Sequence, residues 1–98
     1  MDMPAITEAL RSRIGTGIGL GATLMFDCAE EGVVVIDGRS DPHTVANERI
    51  EADCTVTISR ADLVALMTGQ LDPMMGFMTG QFRVAGDMAV ALKLQRLV

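Results

Sequence analysis

The sequence predicts an α+β fold: a two-layer sandwich in which one mixed five-stranded sheet is covered on one side by helices. Three observations support this prediction. Five short segments alternate apolar and polar residues with the period of two that is typical of strands. Four other segments carry the capping residues or apolar spacing of short helices. The 98 residues also suit a single domain spanning 1–98 around one core.

The chain is predicted to open with a short amphipathic helix. Ile6, Leu10 and Ile14 recur every four residues, and the helix begins near Pro4. The glycine-rich stretch 15–21 follows this helix and opens a strand, whereas a dinucleotide-binding loop follows a strand and opens a helix. We therefore interpret the stretch as a flexible connector and not as a phosphate-binding loop.

Four of the five strands are predicted before the central helices. Residues 22–28 and 33–36 are expected to form a hairpin, because both runs are rich in strand-forming side chains. Residues 44–46 form the weakest strand, and the nearby Pro42 suits an edge position. Residues 54–58 alternate again, as a strand with one buried face.

The second half of the chain is predicted to contain two helices, a strand and a last helix. Ser59 is expected to cap the first helix by accepting a hydrogen bond from the N–H of Asp62. The dipeptide 72–73, Asp-Pro, starts a methionine-rich helix in the same way. Residues 81–85 then form the fifth strand, and Asp87 caps a helix running towards Leu97.

Composition excludes several classes of protein. The net charge of −5 argues against a nucleic-acid-binding surface, which needs clustered Lys and Arg. No run of eighteen apolar residues predicts a transmembrane segment, and no signal peptide is recognised, so we expect a soluble cytoplasmic protein. Cys28 and Cys54 have neither metal-ligand nor redox spacing and are expected to be buried free thiols.

No catalytic or metal-binding constellation is predicted. His43 is the only histidine, and we interpret it as an exposed turn residue. The aspartates can each be assigned to a turn or a helix cap, and no Gly-x-Ser-x-Gly motif is present. The sequence therefore predicts a protein that is not an enzyme and that needs no cofactor or metal.

An apolar cluster in the second half is the candidate functional site. By spacing alone its residues are more typical of a core than of a pocket. The methionine-rich helix nevertheless has consecutive apolar residues, so it must bury both sides or expose one. The candidate site residues of this cluster are Phe26, Leu63, Leu66, Met67, Leu71, Met74, Met75, Phe77, Met78, Phe82, Met88 and Leu92.

Three motifs resemble one known family. They are MTG followed by L-x-P at 67–73, F-M-x-G at 77–80, and G-D-M-A-x-A-L-K-L-Q at 86–95. In this order and spacing they are similar to the C-terminal half of the sterol carrier protein type two family of lipid-binding domains. Two residues depart from the family pattern: Gln81 stands where a lysine is usual, and no tryptophan marks the second strand. Arg83 is then the nearer cation for an anionic head group.

The resemblance implies a hydrophobic tunnel between the sheet and the helices, in which the twelve residues of the apolar cluster bind a lipid. It also implies a carrier for a fatty acid, acyl-CoA, phospholipid or sterol-like molecule. We also expect no nucleic-acid partner, no more than transient membrane contact, and a monomer or weak homodimer. The alternative is a protein-interaction or dimerisation module with a vestigial pocket, in which Met74, Met75 and Met78 dock a partner or a second copy.

Overall fold

The computed structural model describes residues 1–14 and 18–96. Within these residues, two 3₁₀ segments, Ala29–Glu31 and Lys93–Arg96, accompany nine helices and strands. In chain order these elements are α1 (Met3–Arg13), β1 (Thr23–Asp27), β2 (Val33–Asp37), β3 (Thr44–Ala46), β4 (Cys54–Ile58), α2 (Arg60–Met67), α3 (Pro73–Met78), β5 (Phe82–Gly86) and α4 (Met88–Leu92).

The five strands form one mixed sheet, as predicted. Their order is β3-β2-β1-β4-β5. The central pair, β1 and β4, is parallel with Leu24 opposite Cys54, and the other three pairs are antiparallel. The short strand β3 lies at one edge of the sheet, as the nearby proline indicated, and β5 lies at the other edge.

The helices cover one face of the sheet and enclose the main core with it. Alternate residues of the strands point into this core because successive side chains of a strand face opposite sides. On the opposite face of the sheet, a smaller cluster consists of the buried side chains of Met25, Val33 and Val35, with Ala52 packed against them. The main core contains Ile6, Leu10, Ile14, Leu24, Phe26, Val34, Ile36, Val45, Cys54, Val56, Ile58, Leu63, Leu66, Met67, Phe82 and Val90.

The predicted helix caps are present. The Ser59 hydroxyl accepts a hydrogen bond from the Asp62 N–H at 3.1 Å. One carboxylate oxygen of Asp72 accepts from the two N–H groups that open α3, at 2.9 and 3.1 Å. The carboxylate of Asp87 accepts from the N–H of Ala89 at 2.8 Å. These bonds satisfy backbone donors that have no partner within the helix, and they fix where each helix begins.

Two sequence interpretations need correction. The last helix was expected to run towards Leu97, but the α-helix ends at Leu92 and a 3₁₀ segment follows; Leu97 lies outside the described residues. His43 was expected to be exposed, but its side chain is only 3% exposed. Its ring lies beside the backbone of Leu20, whose N–H donates to Nε2 at 3.4 Å, while Nδ1 lies 2.9 Å from the Ser40 carbonyl oxygen.

Other predictions concern the connector and the thiols. Residues 15–17 of the glycine-rich connector lie outside the described residues; Gly19 and Gly21 have the positive φ angles, 66° and 67°, that glycine adopts readily. Cys28 and Cys54 are buried and unbridged, as predicted.

Within residues 1–14 and 18–96, no group of acidic, cysteine and histidine side chains could hold a metal ion. In the same ranges, no helix has the length and hydropathy needed to cross a membrane.

Candidate functional site

An apolar groove lies between α3, β5 and α4, with a volume of about 110 Å³. Four of its large side chains are 44 to 62% exposed, namely Met74, Phe77, Met88 and Leu92. The groove is therefore open to solvent on one side. Among the described residues, its lining is Pro73, Met74, Phe77, Phe82, Val84, Met88, Ala91, Leu92 and Gln95.

Strand β5 forms the floor of the groove. Phe82 pairs with Ile58 and Val84 pairs with Val56, so both β5 side chains share the helix-covered face with the buried side chains of β4. Phe82 is 3% exposed and belongs to the main core while also lining the groove. Arg83, between them in sequence, is exposed and lies on the opposite face of the sheet.

Helix α3 forms one wall because a glycine lets it approach β5. A Cβ atom added to Gly76 would lie 2.5 Å from Cε2 of Phe82 and 3.3 Å from Cδ1 of Leu71. The first distance is shorter than carbon atoms tolerate, so only glycine allows this spacing. The helix itself begins at the Asp72 cap and at Pro73, which loses no hydrogen bond at the first helical position.

Helix α4 forms the other wall. Val90 is 3% exposed and packs into the main core. With the helix in this orientation, Met88 and Leu92 line the groove. The start of α4 is fixed to the sheet, because the N–H of Asp87 donates to the carbonyl oxygen of Asp53 at 2.8 Å. Beyond the helix, the ammonium group of Lys93 donates to the carbonyl oxygen of Leu20 at 2.9 Å.

The groove has no charged lining among the described residues. Gln95 is its single polar side chain there, and an amide both donates and accepts hydrogen bonds. Lys93 is held on the Leu20 carbonyl, and Arg83, the cation expected for an anionic head group, is on the other face of the sheet. The site therefore offers dispersion contacts and neutral hydrogen bonding to a ligand.

The structure distributes the predicted lipid-binding residues over three environments. Met74, Phe77, Phe82, Met88 and Leu92 line the groove. Phe26, Leu63, Leu66 and Met67 lie in the core with at most 4% exposure, and Leu71 packs against that core. Met75 and Met78 are 56 and 72% exposed and do not line the groove. Contact of any of these side chains with a lipid stays a prediction.

The sequence interpretation did not include Pro73, Val84, Ala91 and Gln95. The parity of β5 could have identified Val84, because it shares a face with Phe82. Spacing along α4 could have identified Ala91 beside Met88 and Leu92. Nothing in the local pattern identifies Pro73 and Gln95 as groove residues. Their position in the lining depends on the tertiary packing of α3 against the chain that follows α4.

The resemblance implied a tunnel, and the structure has an open groove at this place. Its volume of about 110 Å³ is below the roughly 300–1,000 Å³ that is common for small-molecule sites. Methionine side chains have three rotatable bonds and fill irregular space, so the walls can change shape around a ligand.

The fold is a five-stranded α+β sandwich, and its groove has no charged lining among the residues that the structure describes. The chain belongs to the SCP-2 sterol transfer family, whose model matches residues 17–98. This family is one of lipid-binding and lipid-transfer domains, and its domain is generally a carrier fold without enzyme activity.

Relatives in sequence support the same assignment. Sterol carrier protein 2 of Gallus gallus is 41% identical over 69 residues, which are 69% of this chain and 13% of that protein. The hydroxysteroid dehydrogenase-like protein 2 of Danio rerio is 32% identical over 77 residues, or 74% of this chain and 19% of that protein. The match therefore spans less than a fifth of either relative's length.

Solved structures show the same fold. The sterol carrier protein domain 2 of Helicoverpa armigera superposes with a TM-score of 0.68 at 27% identity, covering 97% of this chain and 80% of that one. The sterol carrier protein 2 like 2 of Aedes aegypti gives a TM-score of 0.77 at 17% identity, covering 97% and 94%. The second likeness concerns the fold alone.

Proposed function

We propose that this domain binds a fatty acyl chain or a sterol-like molecule in the groove and carries it through water without changing it chemically. Membership of a family of lipid-transfer domains supports the proposal. The observation that carries it is the lining of the groove, which is apolar apart from Gln95 and includes Met74 and Leu92 with about half or more of their area exposed.

Hydrophobic transfer supplies enough free energy for such binding. Burying about ten CH₂ groups at about 0.8 kcal/mol each gives a gross gain of about 8 kcal/mol before the cost of association. The exposed methionine and leucine side chains of the groove would lose water at the same time, which adds to this gain. Micromolar affinity for a long-chain lipid is therefore expected.

The charge-free lining favours the apolar part of a ligand over its head group. An acyl-CoA or phospholipid carries anionic groups, and no cation stands among the groove residues that the structure describes. Such head groups would remain in solvent outside the groove. A sterol hydroxyl or a neutral carbonyl fits the amide of Gln95, which can donate or accept a hydrogen bond.

Cytoplasmic location and a monomeric or weakly dimeric state belong to the proposal as well. The competing proposal, an interaction module with a vestigial pocket, is favoured by the exposure of Met75 and Met78 at 56 and 72%. Light scattering separates the two. A concentration-dependent dimer without lipid binding supports the interaction module, whereas a monomer that binds lipid supports the carrier.

The direct test is a titration of delipidated protein with a fluorescent fatty acid and a fluorescent sterol. We expect saturable binding that an unlabelled competitor reverses. Mass spectrometry of an organic extract of the purified protein identifies the lipid it carries from cells. The carrier proposal is wrong if delipidated, folded protein shows no saturable binding to fatty acids, acyl-CoA or sterols.

A further inference from the structure

Two exposed methionines of α3 are not explained by the groove. Met74 and Phe77 line the groove, whereas Met75 and Met78 do not, although they are 56 and 72% exposed. A molecule held in the groove would cover the first pair and leave the second in water. The outer side of α3 is thus an apolar surface, defined by Met75 and Met78, that needs another explanation.

The chain segment that carries this surface has no charged side chain. Residues 73–82 contain no acidic or basic side chain. The carboxylate of Asp72, just before them, is engaged by the first N–H groups of α3, and the hydroxyl of Thr79 donates to the Met75 carbonyl oxygen at 2.7 Å. A protein interface normally has a polar rim around its apolar centre, and α3 offers almost none.

Its size also distinguishes between partners. A stable protein interface buries about 800 Å² on each side, which is far more than two methionine side chains on a six-residue helix supply. A bilayer requires neither this area nor a matching shape, because acyl chains flow around whatever enters. Unbranched, flexible methionine side chains suit such a fluid phase.

We propose that α3 docks on the surface of a lipid bilayer by inserting Met75 and Met78 among the acyl chains. This rests on the proposed carrier function and adds the route of transfer: α3 is also a wall of the groove, so a lipid would pass from the bilayer into the groove around one helix. The net charge of −5 opposes anionic head groups, so the preferred surface is zwitterionic.

The first test compares vesicle binding of wild type with the double variant Met75→Gln/Met78→Gln. Glutamine and methionine have similar helix propensity and neither is charged, so α3 and the net charge are preserved. We expect the partition coefficient onto phosphatidylcholine vesicles, measured by flotation, to fall at least about tenfold, or about 1.4 kcal/mol. Because the contact is uncharged, wild-type binding should change little between low and high salt.

The matched control is Ile50→Gln, which removes another partly exposed apolar side chain, 38% exposed, outside the groove and α3. It should leave vesicle binding unchanged. Thermal melts followed by circular dichroism show whether each variant is folded, and the single variants Met75→Gln and Met78→Gln replace the double variant if it is not.

A second test uses the absence of tryptophan from the sequence. Met78→Trp introduces a single fluorescent reporter into an otherwise unaltered surface. On phosphatidylcholine vesicles its emission should shift to the blue, and lipids brominated along the acyl chain should quench it. Ile50→Trp should show neither effect.

Each outcome decides the proposal. Unchanged vesicle binding of the double variant, or a reporter at 78 that stays in water, overturns it. So does a dimer in light scattering that the double variant abolishes, since the partner is then a second copy. Loss of fatty-acid binding by the double variant in vesicle-free buffer would place both methionines on the carried lipid instead. Failure of wild type to bind fatty acid or sterol in that buffer overturns the carrier function, which this assay therefore tests separately.

Discussion

Gly76 and Phe82 approach so closely that a Cβ atom on Gly76 would lie 2.5 Å from the ring carbon Cε2 of Phe82. Gly76→Ala must therefore push the ring into the groove or push α3 away from β5. Overpacking of this kind costs about 1–3 kcal/mol, partly offset by the gain of about 1 kcal/mol in helix propensity. We expect a small net loss of stability in urea unfolding and a clear loss of lipid affinity.

A double variant provides the control. In the Gly76→Ala background, Phe82→Leu removes the part of the ring that collides, so it should cost less free energy than in wild type. Equal costs in both backgrounds would mean that the two side chains do not interact as the distance indicates.

The two buried phenylalanines Phe26 and Phe82 should respond differently to truncation. Phe26, 2% exposed, is enclosed in the core, so Phe26→Ala should cost about 3–5 kcal/mol. Phe82 also lines the open groove, where neighbouring side chains can relax, so Phe82→Ala should cost less than about 3 kcal/mol but should weaken lipid binding. Urea unfolding of both variants measures this. A full core cost for Phe82→Ala would argue against an adaptable groove.

A charge in the groove should abolish stabilisation by ligand. At about a hundred times its dissociation constant, a ligand adds about 2.7 kcal/mol, or about 10 to 20 °C in melting temperature for a domain of this size. Leu92 is 62% exposed, so Leu92→Asp should fold, yet its carboxylate would face the acyl chain. Leu92→Met is the control that keeps the response. An equal rise in wild type and Leu92→Asp would show that the lipid binds elsewhere.

The ion pair between Asp37 and Arg39 should make stability fall in acid. Side-chain and backbone hydrogen bonds from Arg39 lower the pKa of Asp37 from 3.8 to about 2. Because the folded pKa is below the unfolded one, the pair stabilises the fold above about pH 4, and this contribution is lost as the pH falls towards 2. The effect should be modest, because the Arg39 side chain is 67% exposed and water screens the pair.

Urea unfolding between pH 5 and pH 2 measures the contribution of the Asp37–Arg39 ion pair to stability. The stability of Asp37→Asn should fall less steeply with acid than that of wild type, and the difference should shrink in high salt. Parallel curves for the two proteins would contradict the assignment.

The two thiols should be unreactive in the folded protein. Burial is the largest cause that raises the pKa of Cys28, to about 11, and burial also raises the pKa of Cys54. Since the thiolate is the reactive form, neither should react rapidly with a disulfide reagent at pH 8, and both should react in urea. Rapid reaction of one thiol under native conditions would show that the fold opens locally around that cysteine.

Local sequence patterns were sufficient to predict much of the fold. Caps such as Ser59 and Asp72 act within three residues, and the fifth strand predicted over residues 81–85 is present as β5. The environment of His43 could not be predicted in this way. Its ring is buried through a contact with Leu20, 23 residues away, which depends on the path of the connector.

The candidate site was less predictable than the fold for a related reason. Met74 and Met75 are adjacent and chemically identical, yet one lines the groove and the other faces solvent. Which side of α3 meets β5 is decided by Gly76, whose lack of a side chain lets Phe82 approach. Spacing identifies an apolar helix, but it does not say which of its sides is covered.

The order of the strands places the groove at one edge of the sheet. Strands β1 to β3 lie on one side of the parallel ladder, and the described residues that line the groove come from 73–95, on the other side. The large apolar side chains of strands β1 to β3 are buried, whereas α3 and α4 carry six exposed ones: Met74, Met75, Phe77, Met78, Met88 and Leu92. Under the proposed function, ligand preference can therefore be changed by substitutions in α3, β5 and α4, without altering strands β1 to β3.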